Sequence, residues 1–127
     1  MIKRSTPELF VENVAEAVRY YTEVLGFEPA GRVPEDKSAP AEWAQVQSGA
    51  ASFMFEKKGE VKTDGVEFYL EVEDVSELAD DLRAKGARIT DGPTDMWYGM
   101  RNLTVLDNSG FRLIFASPIA ATAPAKS

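Results

Sequence analysis

The chain contains no cysteine and no histidine. Disulfides, thiolate nucleophiles and zinc-thiolate sites are therefore excluded. So is the side chain that most often serves as general base and metal ligand near neutral pH. Any chemistry falls to carboxylates, Lys, Arg, Tyr, hydroxyls or the backbone. Basic residues are also short: 14 Lys and Arg stand against 21 Asp and Glu, a net charge of −7. That balance lacks the cationic footprint needed for a phosphate backbone, so no nucleic-acid partner is expected. No apolar run approaches the roughly 20 residues that span a bilayer, and no membrane partner is expected. The opening "MIKRSTPELFVENV" has two cations but no apolar run behind them, unlike a secretion signal. The expected setting is the cytoplasm.

What is present is a duplicated plan in 127 residues, a length at which roughly two-thirds of the unfolded surface can be buried. The segment from Asn13 to Gly26 places Val14, Val18, Tyr21, Val24 and Leu25 on one helical face. Asn13 suits the N-cap, Glu16 the capping-box position and Gly26 the stop. From Asp74 to Gly86 the plan recurs, with Val75, Leu78, Ala79 and Leu82 as the stripe, Asp74 and Glu77 as cap and box, and Gly86 as the stop. A period of about 60 residues is too long for a solenoid repeat. It fits two βαβββ modules, an α+β chain.

The predicted strands of the first module are Pro7–Val11, Phe27–Val33, Trp43–Gln47 and Ala51–Lys57. Those of the second are Glu67–Val72, Ala87–Thr90, Arg101–Leu106 and Phe111–Ala116. Loops are expected at Pro34–Glu42 and Asp91–Met100, and a loosely held Ala/Pro/Ser-rich tail over Ser117–Ser127. The expected organisation is one domain over 1–118, with modules near 4–57 and 65–118 and a flexible tail at 119–127.

Alternation along the strands sorts side chains onto two faces. Leu9, Val11, Ala44, Val46, Phe53, Phe55, Phe68, Leu70, Leu103, Val105, Leu113 and Phe115 should meet the helices. Thr6, Glu8, Phe10, Trp43, Gln45, Met54, Glu56, Glu67, Tyr69, Glu71, Asn102, Thr104, Arg112 and Ile114 should share the opposite face. The charged members suit a plain solvated surface. Phe10, Trp43, Met54, Tyr69 and Ile114 instead suggest a surface that lines a ligand.

Three stretches carry a family resemblance: "LFVENVAEAVRYYTEVLGFEP", "YLEVEDVSELADDLRAKGARI" and "WYGMRNLTVLDNSGFRLIF". Together they resemble the vicinal oxygen chelate superfamily, which includes glyoxalases, extradiol dioxygenases and bleomycin-resistance proteins. The resemblance implies two βαβββ modules forming a cupped, partly open barrel of mostly antiparallel mixed sheet, commonly in homodimers. It also implies four metal-ligand positions, which register assigns to Thr6, Met54, Glu67 and Ile114. Only Glu67 is a good ligand, and a catalytic zinc takes three from the protein. No metal and no cofactor are expected, as in the drug-sequestering bleomycin-resistance type.

The candidate ligand-binding set is Phe10, Trp43, Met54, Glu67, Tyr69, Trp97, Tyr98, Arg101 and Ile114. Within "MWYGMR", Trp97 and Tyr98 could stack on a flat ligand and Arg101 could pair with an anion. The same rings could equally pack at a subunit interface. Glu56, Glu67 and Glu71 would favour a cationic ligand if they line a cleft, and Arg112 would be their ion-pair partner. Three functions compete. One is a metal-free binder of an aromatic or cationic small molecule, such as an antibiotic. Another is an acid–base enzyme with Glu67 as base, its pKa raised by burial, and Tyr69 or Arg101 as helper. The third is a protein whose two-module face serves mainly for dimerisation.

Overall fold

In a computed structural model, which describes residues 1–121, the chain forms two compact units, Met1–Lys62 and Thr63 onward. Each unit is one βαβββ module. The first contains β1 (Glu8–Val11), α1 (Val14–Arg19), β2 (Glu28–Val33), β3 (Trp43–Ser48) and β4 (Ala51–Lys57). The second contains β5 (Glu67–Glu71), α2 (Val75–Ala84), β6 (Arg88–Asp95), β7 (Met100–Leu106) and β8 (Arg112–Pro118). The strand orders are β1-β4-β3-β2 and β5-β8-β7-β6, so both modules are wired alike. The first strand of each lies parallel to the last, and the other pairs are antiparallel. Leu9 sits opposite Phe55, and Leu70 opposite Phe115. Among the described residues no helix is long and apolar enough to cross a membrane.

The helices begin where the caps were expected. Asn13 Oδ1 accepts the Glu16 N–H at 3.0 Å. Asp74 Oδ1 accepts the N–H groups of Ser76 at 3.0 Å and Glu77 at 3.2 Å. These bonds satisfy donors that a helix start leaves without partners. The first helix departs from the predicted stripe. It opens into a π-helical turn over Tyr20–Val24, with the Leu25 N–H reaching the Tyr20 carbonyl at 3.2 Å. Val14, Ala17, Tyr21 and Leu25 are buried, whereas Val18 and Val24 are only partly covered. The wider turn rotates the later side chains, so a uniform 3.6-residue period misassigns them.

The cores differ in kind. In the first unit Tyr21 is surrounded by Phe55, Phe53 and Phe27 at centroid separations of 4.9, 5.4 and 5.5 Å. These are offset and edge contacts that add to burial. In the second unit the buried set is Val75, Ala79, Leu82, Leu103, Val105, Phe111, Leu113, Phe115 and Ala116. The β7–β8 connection is shaped by buried Asp107, whose Oδ1 accepts the Ser109 and Phe111 N–H groups, both at 2.9 Å. An aspartate that bonds its own following backbone is a standard turn device.

Two expected irregular segments are ordered differently. The predicted loop over Asp91–Met100 is mostly strand: β6 runs to Asp95, and only the turn at 96–99 separates it from β7. Register shifts between Ile89 and Asp91 and between Asp91 and Thr94 break the alternation that reveals a strand in sequence. The segment from Ser117 is not loose at its start. Ser117 is buried, and its hydroxyl accepts the Val75 N–H at 3.0 Å. Ile119–Ala121 form a 3-10 turn, and the rest of the expected tail, 122–127, lies outside the described residues.

The α2 cap yields a direct test. Asp74→Ala should lower stability by about 1 kcal/mol, while Asp74→Asn, which keeps the acceptor, should stay close to the parent. Urea denaturation reads this as a lower midpoint for Asp74→Ala at unchanged slope; equal midpoints for the two variants would refute the capping role.

Candidate functional site

Strand register carries each module's outward residues into rows. In the first unit Phe10, Glu56 and Trp43 form one row, and Glu8, Met54 and Gln45 the next. Phe10 is 45% exposed, and Lys58 Nζ lies 5.4 Å from its ring centroid. Lys58 also pairs with Glu56 at 3.5 Å. Further along this face the hydroxyls of Thr6 and Ser52 are 2.8 Å apart.

The second unit repeats the rows with other chemistry. Glu67 faces Arg112, Tyr69 faces Ile114, and Glu71 faces Ala116. Across β7, Thr104 lies beside Ile114 and Asn102 beside Ala116. Asn102 is the hub: its Oδ1 accepts the Tyr69 hydroxyl at 3.2 Å, and its Nδ2 donates to the Tyr98 hydroxyl at 2.9 Å. Three side chains from β5, β7 and the 96–99 turn are thus tied together. Partial desolvation pushes the Tyr69 phenol above its usual pKa, helped by neighbouring Tyr98 and Glu71. It therefore stays a hydrogen-bond donor at neutral pH.

The turn that presents Tyr98 is held at both ends. The Met96 N–H reaches the Met100 carbonyl at 2.7 Å, and the Gly99 carbonyl accepts the Ile119 N–H at 3.0 Å. Gly99 has φ +92°, a conformation that favours glycine. The Trp97 ring stands edge-on to Tyr98 at 5.4 Å and is 93% exposed. An indole left this open is accessible for stacking.

Arg101 departs from its expected role as a ligand contact. It is 4% exposed and shares the helix-facing side of β7 with Leu103 and Val105. Its Nε and Nη2 donate to Asp95 Oδ1 and Oδ2 at 2.6 and 3.3 Å, and Nη1 donates to Ser76 Oγ at 3.0 Å. This fork ties β6, β7 and α2 together. The same alternation that assigned Leu103 and Val105 to the core also assigns Arg101 there, so the signal was present in the sequence.

Glu67 departs from the acid–base expectation. Its side chain is about half exposed, and its Oε1 accepts from Arg112 Nη1 at 2.8 Å. The burial that an acid–base role would need is missing, while the expected Arg112 partnership is present. The implied metal positions do not fit a divalent cation. In the first unit they offer the Thr6 hydroxyl, bonded to Ser52, and the Met54 thioether. In the second they offer Glu67, neutralised by Arg112, and the hydrocarbon of Ile114. Hard cations require several oxygen ligands, and zinc requires three or four strong donors. Among the described residues no three Asp or Glu side chains cluster as a metal site.

Asn102 is the site residue that sequence reading left out of the candidate set. Its place on the outward face, two residues from Thr104, was legible; its bonds to two phenols required the β5–β8–β7 order.

The Asp95–Arg101 pair predicts a pH dependence. The Arg101 hydrogen bonds hold the Asp95 carboxyl below its ordinary value. A depressed carboxylate contributes stability that is full above its unfolded pKa of about 3.9 and is lost as pH falls through the folded value. Urea midpoints from pH 6 to 2 should therefore show a steeper acid decline in the parent than in Asp95→Asn; parallel profiles would refute the linkage.

Comparison with known proteins agrees with this architecture. The family model of the Glyoxalase/Bleomycin resistance protein/Dioxygenase superfamily matches residues 4–115. Among solved structures, TioX from Micromonospora sp. ML1 is 25% identical, with a TM-score of 0.79, covering 93% of this chain and 100% of that one. TnmS3, an antibiotic binding protein from Streptomyces sp. CB03234, is 20% identical with a TM-score of 0.75, covering 93% of this chain and 97% of its own. A superfamily member from Sphaerobacter thermophilus DSM 20745 is 18% identical with a TM-score of 0.74, covering 92% and 98%. No curated protein matches the sequence. Two identically wired βαβββ modules and a family match over nearly the whole chain show that this protein belongs to the glyoxalase/bleomycin resistance protein/dioxygenase superfamily.

Proposed function

We propose that this chain is a metal-free binding protein for an aromatic, cationic small molecule of the antibiotic type, working as a homodimer in the cytoplasm. The observation that carries the reading is the Tyr69–Asn102–Tyr98 network beside open Trp97. It offers rings for stacking and fixed polar groups for orientation, the combination that small-molecule sites use. The first unit's outward face has an apolar surface of its own in Phe10, Trp43 and Met54, and methionine adapts to irregular ligands. Glu8 and Glu71 bias the outward faces towards cations. The residues at the family's metal positions support binding without metal. That one structural neighbour is an antibiotic binding protein supports the ligand class.

In this reading Asn102 orients the two phenols, and Trp97 with Tyr98 grips the ligand plane. Glu67 and Arg112 neutralise each other at one edge of the face and take no part in proton transfer.

Two measurements test this. Native mass spectrometry of freshly purified protein should give a dimer without a chelator-removable divalent ion; one such ion per chain would overturn the metal-free reading. Titration with the planar cation proflavine, followed by tryptophan fluorescence, should show saturable quenching. Tyr98→Ala or Trp97→Ala should weaken it about tenfold, which corresponds to roughly 1.4 kcal/mol. Binding unaffected by both substitutions would remove the aromatic platform from the site.

A further inference from the structure

The first unit contains a cavity of about 500 Å³ on the helix-bearing side of its sheet. Its origin lies in how α1 is placed. In the second unit α2 packs against β6, β7 and β8. In the first, α1 packs chiefly against β3 and β4, and β2 is met mainly by the π-helical turn. No residue of β2 is buried, and a register shift between Pro29 and Gly31 bends the strand. A groove therefore remains between α1 and β2. Ala15, Val18, Pro29 and Ala44 supply apolar walls, and Arg32 and Lys37 also line it.

The two cations are the notable part. Arg32 is held in place by one hydrogen bond, from Nη2 to the Ala39 carbonyl at 2.7 Å. Its Nε–H is shielded from solvent and has no hydrogen-bond partner. A donor shielded from water is equally out of a groove ligand's reach, so what Arg32 offers the groove is its charge. Lys37 is exposed and makes no ion pair among the described residues. The preceding residue, Asp36, accepts the Ser38 N–H at 2.9 Å and the Ser38 hydroxyl at 2.8 Å. These bonds hold the Asp36 carboxyl below its usual pKa, with a smaller contribution from Arg32. On a chain of net charge −7, Arg32 and Lys37 place two cations at an apolar groove, with the ionised Asp36 near Arg32.

We propose that this groove is a second binding site, for a small amphiphile with one carboxylate. The carboxylate lies between Arg32 and Lys37, and the apolar part runs along Ala15, Val18, Pro29 and Ala44. Two cations attract a carboxylate, and a groove of this volume suits a ligand of drug or short-lipid size. Neither Phe10 nor Trp43 lines the groove, so it neither requires nor excludes the ligand proposed above.

The probe is decanoate below its micelle-forming concentration, titrated into the full chain by calorimetry at low salt. Decanol and decyltrimethylammonium serve as comparators. Decanoate should bind at least about tenfold more tightly than either. Lys37→Gln, at an exposed position that spares the fold, should weaken decanoate about threefold, and Arg32→Met at least about tenfold. Ala15→Leu, which narrows the groove with a good helix former, should weaken all apolar probes. Amide shift changes should centre on Ala15, Val18 and Arg32. The proposal is overturned if decanoate does not bind, or if decanol binds as tightly. It is also overturned if Lys37→Gln and Ala15→Leu leave decanoate unaffected, or if the shifts centre on Tyr98 and Asn102.

Discussion

The parallel pairing of the first and last strands governs each module. Leu9 must lie against Phe55, and Leu70 against Phe115, with both chains running the same way. Parallel strands cannot be joined by a tight turn; the chain has to cross over, and here α1 or α2 makes part of that crossing. Once the first strand is seated beside the last, the two antiparallel hairpins complete the sheet. The period of two then decides which side chains meet the helix and which face outward. A slip of one residue in that pairing would exchange Phe55 with Met54 and Phe115 with Ile114, placing core residues outside and site residues inside.

The candidate site inherits its geometry from this arrangement. Tyr69 comes from β5 at the end of the sheet and Asn102 from β7, with β8 between them. The short aliphatic residues of β8 at this level, Ile114 and Ala116, leave room for a phenol to reach across. The turn carrying Tyr98 is anchored by the chain just after β8, through the Gly99 to Ile119 bond. On the other side of β7, Arg101 joins Asp95 and Ser76 and ties the same hairpin to α2. Both faces of one strand are thus used, one for the Tyr69–Asn102–Tyr98 network and one for tying the hairpin to α2.

Duplication also shows what each copy has done with the same wiring. The outward Thr6–Ser52 hydroxyl pair corresponds to the Glu67–Arg112 ion pair, each joining the first strand or its approach to the last. One core is built around Tyr21 and phenylalanines, the other around aliphatic residues with two phenylalanines. The π-helical turn belongs to the first copy, where the helix leaves the β2 flank open beside Arg32. Divergence is concentrated in side chains and helix placement, because strand order is constrained by backbone hydrogen bonding and side-chain chemistry is not.

Much of the fold is local and was therefore legible. Asn13 and Asp74 cap because a short polar side chain beside an apolar stripe has few other uses, and Leu103 and Val105 are core because alternation is a property of the strand itself. The two-module repeat was also written in the residues. The strand running to Asp95 was hidden, because its register shifts break the alternation that reading depends on. Burial of Ser117 was hidden too, since it answers to the Val75 N–H on a distant element. The pairing of Arg101 with Asp95 and Ser76, the bonding of Asn102 to two tyrosines, and the groove beside Arg32 were decided only by tertiary structure. Each depends on distances between strands or between helix and sheet, and those distances are set when the sheet closes, not by neighbours in the chain.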